Sequence, residues 1–303
     1  MGENSHIEWC DHTFNAWRGC TKVSPGWTHC DAESLSRRNP AALGEWGDEG
    51  TRVVAAESYW WLPFKWARGA AAAGKRRRVF ALSLGDWLDE RHELLAPRIR
   101  ILDLIRRSAD SLDWLLLTKR IENFDHLLEA MTKSIPGDCN LLNDMRTWLA
   151  DWIMGNAPSN VWLGVSCEDQ QRADERIPLL LRTPAAVRFV SAEPLLGPVD
   201  LTAYLGKDRI SWVICGGESY RKCDMSKATA RPCNVAWIRS LRDQCAEARV
   251  PCFVKQLGSK PHDNGSKMLL RQPGGSWHFN ESCRDPKGGD PSEWPAGLRI
   301  RPF

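Results

Sequence analysis

Absences narrow the field before any motif is considered. No stretch of the 303 residues approaches the roughly 18 consecutive apolar positions of a membrane span. The polar start, Met1 to His6, has no apolar run of a secretory leader, and His6 breaks the acylation pattern that Met1-Gly2 opens. There is also no surplus of one charge. Forty-one Lys and Arg stand against 38 Asp and Glu, a net +3 spread along the chain, which does not by itself argue for nucleic acid. No internal repeat stands out. A cytosolic protein without membrane contact is therefore expected, and there the 11 cysteines stay mostly reduced. Their odd number also argues against a disulfide framework. Cys139, Cys167, Cys215, Cys245 and Cys252 lie in or beside apolar runs and read as buried thiols.

What is present is a recurring strand-length apolar run. Six occur, at 79–84, 114–118, 161–166, 187–191, 212–217 and 251–255, and 13–17 reads as a first strand before them. Continuous apolar runs of about five residues fit parallel strands covered on both faces. Helical periodicity is clearest at 94–107 and 235–248, with Asn234 placed to cap the second. Alternation of strands and helices predicts an α/β fold, a partial or full parallel β/α barrel over residues 1–258. Residues 39–74, rich in Trp, Gly and Ala, read as an insertion after the first helix, and 259–303 as a loop-rich extension. Most of the 16 tryptophans are expected in the core.

Each run ends in polar residues, and in a parallel barrel that edge is where active sites assemble. The ends supply Asp86, Thr118-Lys119-Arg120, Ser166 with Glu168, Ser191-Ala192-Glu193, Gly216-Gly217-Glu218 and Lys255-Gln256. Lys119, Glu193, Glu218 and Lys255 are the candidates for acid–base or charge-pairing work, and Gly216, Gly217 and Ser191 for cofactor contacts. The bland alternative is that strands must end in something polar, and that Glu193 sits in an ion pair with Lys119 or Arg120. Lys75-Arg76-Arg77-Arg78 is a basic cluster directly before a strand, read as a solvated edge or a phosphate contact.

Cys20 and Cys30 flank a Ser24-Pro25-Gly26 turn, and thiolates on a turn can converge on a soft metal. Their Cys-x9-Cys spacing is not a common ligand pair. Together with Ile7-Glu8-Trp9, Asp11 to Asn15, Trp17-Arg18-Gly19-Cys20, Leu117 to Arg120, Ser191 to Pro198, Gly216 to Ser219 and Lys255-Gln256, the stretch resembles a family of phage and prophage proteins with an N-terminal three-cysteine motif. That family is similar to radical S-adenosylmethionine enzymes and is largely uncharacterised. The resemblance spans most of residues 7–258. It implies a barrel carrying a 4Fe-4S cluster near its first strand, with S-adenosylmethionine bound at the open iron and cleaved to a hydrogen-abstracting radical.

The sequence departs from that motif, Cys-x6-Cys-x2-Cys followed by Tyr. Cys20 and Cys30 match the outer thiols, but Trp27 stands at the middle position and Asp31 replaces the tyrosine. An indole donates only and cannot ligate iron. Cys10 would have to fold back to serve as third ligand, or His29 or Asp31 would have to contribute. Gly216-Gly217-Glu218 follows a late strand, so the amine-binding role of a Gly-Gly-Glu after the second strand does not carry over. Three functions remain open. They are a radical S-adenosylmethionine-type enzyme, a cluster-less relative that binds a nucleotide, a nucleic acid or a partner protein, and a cluster-free enzyme acting on an anionic substrate.

Overall fold

A computed structural model describes residues 2–136, 140–219, 230–266, 268–271, 277–280, 285 and 287–300. Its contacts divide the chain into two compact units. The first comprises residues 1–23, 32–165 and 178–188, the second 24–31, 166–177 and 189–303. Seven parallel strands carry the fold. In the first unit β1 (His12–Phe14), β2 (Arg77–Ala81), β3 (Leu112–Thr118) and β4 (Val161–Ser166) lie side by side in that order. In the second, β5 (Val187–Ala192), β6 (Trp212–Gly216) and β7 (Cys252–Gln256) do the same. The strand–helix order is that of a mixed α/β protein, consistent with the partial β/α barrel read from the sequence.

The strands are where the apolar runs predict them, because each must be buried on both faces. β6 is buried at every position, and β3 at all but two. Two ends differ from expectation for local reasons. The run from Val79 stops pairing at Ala81, since Leu82 turns left-handed (φ 58°) and donates its N–H back to the Phe14 carbonyl at 2.7 Å. The first strand stops at Phe14 because Asn15 spends its side chain elsewhere. Its carboxamide accepts the Leu84 N–H at 2.8 Å and donates to Ser83 at 3.1 Å. Trp17–Arg18 then forms a separate antiparallel pair with Val53–Val54.

The helices include α1 (Leu62–Ala72), α2 (Leu95–Arg107), α3 (Phe124–Ser134), α4 (Asn140–Ile153), α5 (Gln170–Arg182) and α6 (Val235–Glu247). Thus 39–74 is not featureless, since α1 lies inside it and buries Pro63, Trp66 and Ala70 at helical spacing. The C-terminal stretch, read as loop-rich, contains an antiparallel pair of short strands, Met268–Arg271 with Trp277–Asn280. Cys139 lies outside the described residues. Among the described residues no helix is long and apolar enough to cross a membrane.

Tryptophan does go to the core. Trp17, Trp60, Trp87, Trp114, Trp152 and Trp294 are essentially inaccessible. In the first unit Phe14 stacks on Tyr59 at 4.9 Å and meets Trp114 edge-on at 5.9 Å, while the Trp114 indole donates to the Ser108 hydroxyl at 2.9 Å. Burying such a ring is worth about 3 kcal/mol. Trp61, by contrast, is two-thirds exposed.

Candidate functional site

The first unit gathers its strand-end charges around Cys20. Asp86, after β2, accepts hydrogen bonds from the Thr118 hydroxyl (2.7 Å), the Lys119 N–H (3.0 Å) and the Leu88 N–H (3.1 Å). Its carboxylate pairs with the Arg120 guanidinium at 3.1 Å. Arg120 in turn donates to the Thr21 carbonyl at 2.6 Å and lies 3.7 Å from the Cys20 sulfur. Arg52 closes the group, pairing with Asp89 at 2.7 Å and donating to the Thr21 hydroxyl at 2.9 Å. Cys20 is wholly buried, and burial pushes its thiol up to about 12 despite the nearby guanidinium, with Asp86 and Asp89 acting in the same upward direction. At neutral pH Cys20 is therefore a protonated thiol beside a guanidinium.

Cys10 sits elsewhere. It precedes β1, where its N–H and thiol both point to the Ile7 carbonyl and the adjacent Asp11 N–H bonds Arg78 at the start of β2. Cys20 follows β1, and the Gly19 N–H bonds Leu84 beyond the end of β2. The two cysteines therefore lie at opposite edges of the same strands. Among the described residues no group of three or more His, Cys, Asp or Glu side chains is arranged to hold a metal. His29, the other nitrogen ligand considered, has Nδ1 engaged with Glu218 at 3.1 Å. With Trp27 able only to donate, the motif stretch supplies two thiols, Cys20 and Cys30, where the resembled motif has three.

The second unit holds three strand-end glutamates, each differently partnered. Glu168 is completely buried between the Arg176 guanidinium (3.0 Å) and the Gly26 N–H (3.0 Å). A Cβ at Gly26 would stand 3.0 Å from that carboxylate, so glycine lets the turn lie directly on it. Glu218 is held two-pronged by Arg231, at 2.6 and 3.0 Å, by the Arg231 N–H at 2.7 Å and by His29. Arg231 also donates to the Pro25 carbonyl at 2.9 Å. The Ser24–Asp31 segment is thus tied down by two buried carboxylates. Arg176 and Arg231 were missed by the sequence reading, since nothing in their neighbourhood marks them as partners of acids 8 and 13 residues earlier.

Glu193 is the more open acid. Lys255 meets it at 2.6 Å with one-third of its side chain exposed, and the Gln256 carboxamide reaches it at 3.4 Å while donating to the Gly217 carbonyl at 2.8 Å. Within the second unit the partner of Glu193 is Lys255, from β7. Gly216 and Gly217 are buried, and a Cβ on Gly217 would lie 2.3 Å from the Leu257 carbonyl oxygen and 2.7 Å from Cys233. Close strand packing accounts for these glycines. Ser191 is buried, its carbonyl accepting the Cys167 N–H at 2.9 Å.

A family described as "Protein of unknown function (DUF5131)" matches residues 4–282. The chain belongs to that family. The match takes in every strand end named above. No curated protein and no solved structure matches.

In this DUF5131 chain the basic cluster before β2 is largely spoken for. Arg76 pairs with Asp113 at 2.7 Å and Arg77 with Asp11 at 2.8 Å, while Arg78 lies over the Trp162 ring at 5.2 Å. Burial tends to raise the Asp11 carboxyl, but the Arg78 N–H and the Arg77 guanidinium outweigh it and hold the group below its ordinary value. These residues are at the start of β2, the edge opposite the strand-end acids.

Proposed function

We propose that this DUF5131 chain is a cluster-less relative of radical S-adenosylmethionine proteins that acts by binding a small anionic ligand, such as a nucleotide. The ancestry rests on the ordered motif blocks of the sequence, the phage or prophage setting on the same resemblance, and a cytosolic location on the want of any apolar run of membrane-spanning length. The observation that carries the loss of the cluster is Trp27, an indole at the position of the motif's middle cysteine. We assign the chain no radical chemistry.

The ligand reading is supported by the Glu193–Lys255 pair. A partly exposed ammonium paired with a carboxylate can exchange that oxygen for one of a phosphate or carboxylate ligand, at little cost in desolvation. The displaced Glu193 then accepts from a hydroxyl or amino group of the same ligand, and Gln256 keeps both groups oriented. Glu168 and Glu218, already saturated by arginines, take no part. The nucleic-acid version is weakened by the engaged Arg76, Arg77 and Arg78 and by the burial of most tryptophans.

Iron and sulfide analysis after anaerobic reconstitution, on the native chain and on Trp27→Cys, tests the reading. We expect the native chain to hold well under the roughly four irons a full cluster contains. Iron gained by Trp27→Cys traces the loss to position 27, and equally low iron in both means that a third thiol there does not suffice to restore the cluster. A complete cluster in the native chain overturns the proposal.

A further inference from the structure

His29 and Glu218 form a pair that can move a proton. The imidazole Nδ1 lies 3.1 Å from Glu218 Oε2, with the carboxylate 5% exposed and the imidazole 32%. An ionised carboxylate only accepts hydrogen bonds, so Nδ1 carries the hydrogen of the neutral ring and the lone pair is left on Nε2. Nε2 has no hydrogen-bond partner among the described residues. A buried carboxylate that fixes the tautomer and orientation of a partly exposed imidazole is the arrangement by which histidine serves as a general base.

Both members are fixed in place. Arg231 grips both carboxylate oxygens of Glu218, Nη2 on Oε1 at 2.6 Å and Nε on Oε2 at 3.0 Å, so the group cannot turn away from His29. His29 follows a single 3₁₀ turn, Pro25–Trp27, in which the Trp27 and Thr28 N–H groups bond the Ser24 and Pro25 carbonyls. Glu168 holds the Gly26 N–H of that turn, and Arg231 holds the Pro25 carbonyl. The segment that departs from the cysteine motif is therefore a rigid support for the imidazole.

The pair also stands beside the Glu193–Lys255 pocket. Glu218 follows β6, the strand between β5, which leads into Glu193, and β7, which carries Lys255. Gln256 joins the two groups, since it reaches Glu193 and the carbonyl of Gly217, the residue before Glu218. At this edge β7 is bulged. Val254 pairs with Cys215 and Gln256 with Gly216, which leaves Lys255 as the extra residue. A bulge breaks the strict alternation of faces, and the consecutive side chains of Lys255 and Gln256 both reach Glu193.

We propose that this strand edge hydrolyses a carboxylic ester bearing an anionic group, with His29 as the general base. The anionic group is held at Lys255, and in that respect the assignment rests on the ligand pocket of the proposed function. The Nε2 lone pair takes a proton from a water molecule as the water oxygen attacks the ester carbonyl carbon. The C–O bond to the alcohol then breaks, and the departing oxygen takes that proton from Nε2. One ester and one water give one carboxylic acid and one alcohol, with no other reactant. Water is the nucleophile because no hydroxyl or thiol among the described residues bonds Nε2. Glu218 and Arg231 touch no substrate and act as positioning residues.

The full chain is tested on para-acetoxybenzoate and on its uncharged methyl ester, with release of acetate followed. His29→Gly should lower kcat at least about a hundredfold, and added imidazole should restore part of it, which a purely structural role for His29 would not allow. Glu218→Gln should lower kcat by less and leave KM unchanged. If a variant fails to fold, carbethoxylation of the native chain decides, because turnover should fall in proportion to modification of His29. Native hydrolysis no faster than that of His29→Gly, or indifferent to modification of His29, overturns the proposal. Lys255→Met separates this inference from the ligand reading. His29-dependent hydrolysis indifferent to Lys255→Met keeps the general base and removes the anion pocket. Lys255-dependent binding of ATP without His29-dependent hydrolysis of either ester removes the general base alone.

Discussion

Glu218 is buried and still held as a carboxylate, and its surroundings say why. Burial pushes its carboxyl up, but the paired guanidinium and N–H of Arg231, with His29 added, outweigh burial and leave it below the usual carboxylate range. A carboxylate depressed in the folded state contributes stability that is fully present above its unfolded value of roughly 4.3 and is lost as pH falls through the lower folded value. Glu218→Gln should therefore cost about 2 kcal/mol near neutral pH, the worth of hydrogen bonds to a charged group. It should also lose less stability than the native chain as the pH is lowered below about 4. Urea unfolding of both proteins across that range is the measurement, and parallel acid profiles would remove the ion pair from the account. The residue was legible in the sequence as a strand-end acid. Its partner was not, because a contact between Glu218 and Arg231 depends on how the chain returns, which local composition does not encode.

At the scale of the element, local rules were reliable where one residue decides a boundary. Asn234 was expected to cap the helix that follows, and its side-chain oxygen accepts the Ala236 N–H at 3.1 Å and, from farther along the chain, the Asn264 N–H at 3.2 Å. Asn234→Ala should cost about 1 kcal/mol, with Asn234→Asp retaining most of it. Thermal or urea unfolding reads this directly, and an Ala variant as stable as the native chain would mean the cap contributes nothing. Boundaries set by tertiary contacts were less legible. A continuous strand through Trp17 was expected, yet Asn15 leaves the ladder because Leu84 and Ser83, distant in sequence, offer it hydrogen bonds. The tryptophan- and alanine-rich 39–74 stretch hid α1 because its buried stripe contains only Pro63, Trp66 and Ala70, a weak periodic signal.

For the whole molecule, charge balance carries the functional argument. A net +3 leaves little long-range attraction for a polyanion, and three arginines of the one basic run are engaged by Asp113, Asp11 and Trp162. A small anion needs only one accessible cation. Calorimetric titration with ATP should show binding that weakens about tenfold in Lys255→Met, equivalent to about 1.4 kcal/mol. At about 0.15 M salt, single- and double-stranded DNA should not be retained at micromolar protein. Tight, strongly salt-dependent DNA binding, or ATP binding indifferent to Lys255, would count against the ligand reading. By itself the sequence determined the parallel strands, the α/β class and the polar strand ends, because apolar periodicity and turn chemistry act over a few residues. It also carried the defect at Trp27, since an indole cannot ligate iron in any fold. Tertiary structure decided which charges neutralise one another. It set Arg120 against Cys20, placed Cys10 at the far edge of the strands, closed Glu218 with Arg231 and left Glu193 with Lys255. Those pairings follow from which segments pack together, and a side chain's charge state is fixed by its neighbours in space rather than in sequence.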